Sequence, residues 1–215
     1  MKLSADRTTR PRKKSIRGDP PWEIALLFPA QGEWTEHQFL ALDSSGTGRM
    51  MELVDGFLEV LPMPDVFHQR ILKLLFRLLD DFVSTACLGE VLFAPLPVRL
   101  WERQMREPDI VFLKSNRVKD PHKAPEGADL ALEIVSSGEE NRERDLKDKR
   151  KAYAQAKIPE YWIVDPEKQL ITVLTLGAKN YKLHGRYRPG DRATSKLLPG
   201  FSVDVNEIFS AGLGA

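Results

Sequence analysis

Cysteine is almost missing: Cys87 is the only one in 215 residues. That excludes an internal disulfide and any zinc site built on several cysteines, and a reducing cytoplasm is the simplest compartment. Long apolar runs are missing too. The longest candidate, Ile71 to Val83, is broken by Lys73, Arg77, Asp80 and Asp81. It falls short of the roughly 20 apolar residues that span a bilayer, so no membrane role is expected. The N-terminus has no secretory apolar core, which argues against export. No glycine-rich phosphate loop is present either.

A surplus of positive charge is also lacking. The chain holds 32 basic and 31 acidic residues, a net charge of +1. Seven of the basic residues and two of the acids lie in the first 21 residues, so the body holds 25 basic and 29 acidic residues, about −4. Phosphate neutralisation dominates nucleic-acid affinity, so any nucleic-acid contact must come from a local patch or from the tail.

What remains is an ordinary globular composition, 42% hydrophobic and 29% charged. Residues 1–21, basic and closed by Asp19-Pro20-Pro21, are expected to form a disordered tail. Residues 22–215 are expected to form one domain. Trp22 to Leu27 is short and apolar and has no clear assignment. Thr35 opens a short helix with Gln38 at its third helical position. Ser44 to Gly48 reads as a loop. Arg49–Leu53 and Phe57–Leu61 flank an Asp55-Gly56 hairpin turn. Helical spacing of Phe67, Ile71, Leu74, Leu75, Leu78, Leu79 and Phe82 predicts a helix over 66–87, ended by Gly89. Strands are expected at 91–94, 97–100, 109–113 and 130–135. A charged helix follows over 139–157, then a hairpin of 161–164 and 170–176. Short strands at 181–184 and 201–205 finish the domain. The order implies an α/β fold with a mixed sheet.

The most informative residue is Glu133, inside the otherwise apolar run Leu130-Ala131-Leu132-Glu133-Ile134-Val135. A lone carboxylate there is costly to desolvate unless it is paired, protonated or bound to a cation. Asp109 opens a second apolar strand after Glu107-Pro108. Hard cations such as Mg²⁺ prefer oxygen ligands, and Asp109 and Glu133 would supply them if their strands are neighbours. On the charged helix Asp145, Lys149 and Tyr153 recur every four residues and so share a face. Lys149 is the candidate to stabilise phosphate charge or to position the attacking water, with Asp145 orienting it. Tyr153, Tyr161 and Trp162 read as packing residues.

Together these segments resemble the PD-(D/E)XK nuclease superfamily, and more closely the Uma-two family of restriction endonucleases. The resemblance lies in Met51 to Gly56, His68-Gln69-Arg70, Pro108-Asp109, Leu132 to Ser136, Arg144 to Tyr153 and Ile158 to Asp165. It implies a restriction-endonuclease-like fold, with a mixed central sheet flanked by helices. It also implies a Mg²⁺ ion, with Mn²⁺ able to substitute, and DNA as substrate. Asp109 matches the motif aspartate and Glu133 the second acid; Glu52 and His68 match recurrent positions that could line the site. Val135 stands where the superfamily pattern places lysine, which leaves Lys149 to supply it from the following helix.

The expectation is a metal-dependent endonuclease. Asp109 and Glu133 would be its metal ligands, and Lys149, Asp145, Glu52 and His68 would complete the site. The alternatives are a nucleic-acid- or protein-binding module that kept the fold without turnover, or a hydrolase of a small phosphorylated molecule. Cutting both strands of a duplex often uses paired subunits, so a homodimer is expected.

Overall fold

A computed structural model describes residues 28–43 and 49–214. The expected tail, the Trp22–Leu27 segment and the Ser44–Gly48 loop lie outside the described residues.

The first described helix is α1 (Glu36–Asp43). Thr35 caps it reciprocally: Gln38 N donates to Thr35 Oγ1 at 3.3 Å and Thr35 N donates to Gln38 Oε1 at 3.0 Å. Strands β1 (Met51–Val54) and β2 (Phe57–Val60) form the expected hairpin, with Asp55 and Gly56 both at positive φ. A side chain at Gly56 would meet the Gly32 carbonyl oxygen at 2.7 Å, so the turn requires glycine there.

Helix α2 (Val66–Thr85) is capped by Asp65, whose carboxylate accepts from His68 N at 2.8 Å. Ile71, Leu72, Leu75, Leu79 and Val83 are buried along one stripe. Their burial contributes on the order of 7–15 kcal/mol before the entropy of ordering is counted. Gly89 does not end this helix, contrary to expectation. The turn is made by Cys87 at φ +51°, and Gly89 already begins β3 (Gly89–Phe93). A Cβ at Gly89 would lie 2.0 Å from the Leu113 carbonyl oxygen, so close strand pairing selects glycine.

Then come β4 (Val98–Trp101), β5 (Gln104–Arg106), β6 (Ile110–Lys114) and β7 (Leu130–Ile134). The charged connection is α3 (Glu139–Glu143), a π-helical turn (Arg144–Asp148) and α4 (Lys149–Gln155). Next are β8 (Glu160–Asp165), β9 (Leu170–Leu176), β10 (Tyr181–Tyr187), β11 (Arg192–Thr194), β12 (Ser202–Asp204) and α5 (Val205–Leu213).

Six strands form the central mixed sheet, in the order β10-β9-β8-β7-β6-β3. Only the β7–β8 pair is parallel, so the chain between them must cross over the sheet, and the α3–α4 segment does so. Alternation along the strands divides two cores. On one face Ile110, Leu130, Leu132 and Trp162 meet α2 and α5. On the other, Val111, Ala131, Tyr161 and Ile163 meet Tyr153 and Ala154 of α4. A second, antiparallel sheet, β2-β1-β5-β4, packs Leu53 and Met105 with Trp34 and Phe39. No described helix is long and apolar enough to cross a membrane.

Three further features differ from the sequence expectation. Strand β5 has polar residues at both ends and no apolar periodicity; partners bury them instead. The Gln104 side chain accepts from Asp55 N, and Arg106 pairs with Glu52. The 139–157 helix is interrupted by the π turn. And the expected 201–205 strand ends at Asp204, with Val205 opening a helix over Val205–Leu213 that was not expected. Asp204 caps it, accepting from Asn206 N and Glu207 N.

Candidate active site

Glu133 is buried, as its strand requires. Among the described residues its partners are neither an arginine nor a backbone amide. Lys149 Nζ donates to Oε2 at 2.8 Å and the Tyr153 hydroxyl donates to Oε1 at 2.5 Å. Both donors come from α4, which covers this face. Tyr153, expected only to pack, therefore also reaches the acid.

Asp109 lies just before β6. The register pairs Ile110 with Leu132, so Asp109 falls opposite Glu133 and on the same face. Its Oδ2 accepts from Ile134 N at 2.7 Å and lies 3.3 Å from His68 Nε2. The two strand acids are thus cross-strand neighbours. His68 reaches them from the first turn of α2, placed there by the Asp65 cap. Its Nδ1 is buried without a hydrogen-bond partner among the described residues.

Glu52, fully buried on β1, enters from the smaller sheet. Arg106 donates to its Oε2 at 2.6 Å and Glu107 N to its Oε1 at 2.9 Å. Lys149 Nζ lies 3.3 Å from Glu52 Oε1 and 3.6 Å from Asp145 Oδ1. One ammonium therefore faces three carboxylates. Asp145 sits in the π turn, where Lys149 N donates to Arg144 O, five residues back. Such turns recur at functional sites. Lys147 and Lys151, the neighbouring lysines, are exposed.

All six side chains singled out in the sequence, Asp109, Glu133, Lys149, Asp145, Glu52 and His68, are brought together. His68, Glu107, Asp109, Glu133, Asp145 and Lys149 line one cavity of about 30 Å³. That is room enough for water. It adjoins an open groove of about 480 Å³ that shares Pro62, Pro64, His68 and Ser136 with it and adds Met63, Phe67 and Ser137. Sequence reasoning missed Arg106 and underrated Glu107. Both flank the Pro-Asp pair, and only the partner strand β1 shows why they are buried.

The charges are unbalanced. Burial pushes the Glu133 carboxyl up to about 8; Asp109, Asp145 and Glu52 add to the rise and Lys149 opposes it. Burial alone would lift Glu52 too, but Lys149 and Arg106 hold it below the usual carboxylate range. Burial would lower Lys149, and Glu133, Glu52 and Asp145 outweigh that and raise it. Burial would also lower His68, while Asp109 holds it above the ordinary imidazole value. Among the described residues no three His, Cys, Asp or Glu side chains already form a ligand set. The donor chemistry still fits a hard cation: several carboxylates line a small cavity, and one of them, Glu133, is pushed toward protonation by burial and then by its acidic neighbours.

The sequence profile of the Uma2 family, described as "Putative restriction endonuclease", matches residues 36–206. No curated protein matches the chain. A crystal structure from Anabaena variabilis, described as a "putative nuclease belonging to DUF820", superposes with a TM-score of 0.67 at 16% identity, covering 86% of this chain and 99% of that one. At that identity the likeness shows a shared fold.

Proposed function

The chain belongs to the Uma2 family, and from that premise we propose that it is a divalent-cation-dependent endonuclease hydrolysing DNA phosphodiester bonds. The observation that carries the reading is the convergence of Asp109 and Glu133, cross-strand neighbours, with Lys149 Nζ 2.8 Å from Glu133.

In this reading Asp109 and Glu133 hold Mg²⁺ or Mn²⁺. When bound, such an ion stabilises charge on the phosphate and lowers the pKa of a bound water. The chain's own groups do the rest. His68 fixes the Asp109 carboxylate through Nε2 and leaves Nδ1 to hydrogen-bond water. Glu52, itself clamped by Arg106, keeps Lys149 charged and at the cavity. Lys149 neutralises the scissile phosphate, as the lysine absent from position 135 would. Asp145 steadies Lys149 from the π turn, and Tyr153 fixes the Glu133 carboxylate. The adjoining groove is the route by which a strand reaches the cavity, which is itself too small for a nucleotide.

A second reading, a binding module without turnover, is favoured by one observation: both Glu133 oxygens already have donors within the protein. Nicking of supercoiled plasmid with Mg²⁺ or Mn²⁺ separates the two. Wild type should nick and Glu133→Gln should not, with its circular dichroism unchanged. Nicking by Glu133→Gln at the wild-type rate would end the assignment. Calorimetric titration of Mn²⁺ into wild type and Asp109→Ala gives the second arm: no metal-dependent heat in wild type favours the binding module.

A further inference from the structure

The segment that turns Asp145 and Lys149 inward presents a separate cationic flank to solvent. Lys147, Arg150 and Lys151 are exposed and line a cavity of about 290 Å³, against Ala154, Asn180 and Tyr181. No carboxylate lines it. Arg150 is anchored across it, donating to Tyr181 O at 3.5 Å. Lys179 and Lys182, both exposed, flank Asn180 and Tyr181 in the chain. Among the described residues, Lys147 alone of the three lining cations has a carboxylate in ion-pair range, Glu143 at 2.8 Å.

This concentration runs against the body as a whole, which carries about −4. It also runs against helix energetics. Lys147 lies three residues from Arg150 and four from Lys151, spacings at which like charges each cost a few tenths of a kcal/mol. A bound polyanion would offset that repulsion. The position suits one polyanion in particular. Lys147 and Lys151 stand two residues either side of Lys149, whose amino group lies in the cavity. Flank and cavity are thus separated by about the width of one helix, ~10–12 Å. That is roughly three base steps at 3.4 Å per step.

We propose that Lys147, Arg150 and Lys151 form a second contact surface for the nucleic-acid backbone, taking phosphates a few nucleotides from the one in the cavity. The inference rests on the nuclease reading for its substrate. Such contacts fix register and orientation and carry no base sequence.

The test is binding of a labelled 20-base-pair duplex by fluorescence anisotropy in EDTA, from 50 to 200 mM salt. In the triple variant Lys147→Gln/Arg150→Gln/Lys151→Gln the slope of log K against log salt should fall by about 2–3, since each phosphate contact contributes about 0.9. A control, Lys73→Gln/Lys119→Gln/Lys123→Gln, removes equal charge from other exposed positions and should keep the wild-type slope. With Mn²⁺ added, the triple variant should show a raised KM and an unchanged kcat. A triple variant matching wild type or the control in slope overturns the proposal. So does loss of polyglutamate binding with DNA binding retained, which would assign the flank to an acidic protein. A wild type that binds DNA through this flank yet never nicks it supports the surface and removes the nuclease reading.

Discussion

Lys149 is buried, and its ammonium faces Glu133, Glu52 and Asp145. Removing one partner of a buried ion pair costs about 3–5 kcal/mol, because the remaining charges lose their compensation. Lys149→Met should therefore lower the urea midpoint substantially at pH 7. Lys149→Ala should reduce turnover more than cation affinity, read by comparing nicking rates with Mn²⁺ calorimetry. Tyr153→Phe is gentler. It removes one donor from the buried Glu133 carboxyl, worth about 0.5–1.5 kcal/mol as a net hydrogen bond. Its turnover should fall with little change in KM. Glu133 and Asp109 were legible because a carboxylate in an apolar strand contradicts its surroundings. Arg106 was not, since an arginine beside a loop looks solvated until Glu52 is seen across the β1–β5 sheet.

At the scale of elements, the run Glu160 to Asp165 proves structural at both ends. Glu160 is fully buried and gathers four donors: Trp162 Nε1, Ser195 Oγ, Lys196 N and Leu197 N, at 2.6–2.8 Å. It fastens the 195–197 segment to the central sheet. Asp165 takes Arg142 through two bonds, at 3.1 and 2.5 Å, and so ties α3 to the end of β8. Glu160→Ala leaves the buried Trp162 and Ser195 donors unpaired, each costing about 1–3 kcal/mol, so a loss of roughly 2–6 kcal/mol is expected by chemical denaturation. Elements with strong periodicity, α2 and the β6–β7 pair, could be read from sequence. The π turn could not, because its residues keep ordinary helical composition. Helix α5 was hidden for another reason: it begins at Val205, directly where β12 ends, with no breaker between them.

For the molecule as a whole, two solution measurements follow. Asp129 is buried, which by itself would raise its carboxyl. The two bonds from Arg117, at 2.7 and 2.9 Å, and one from Lys114 N outweigh burial and hold it below the usual range. A depressed folded pKa adds stability above the unfolded value near 3.9, and that stability is lost as pH falls below it. Arg117→Met should flatten the acid limb of the stability curve below about pH 4, measured by thermal melts across pH. Divalent cation gives the second measurement. At 100 times its Kd, an ion bound only by the folded chain stabilises it by about 2.7 kcal/mol. A rise in melting temperature should follow in wild type and be absent in Asp109→Ala.

The ring of charge around Lys149 draws on residues as far apart as Glu52 and Asp145, from two sheets and a crossover helix. No shorter stretch of chain can assemble it. A nascent or half-unravelled copy therefore holds no such ring, which exists only once both sheets and the crossover helix have docked.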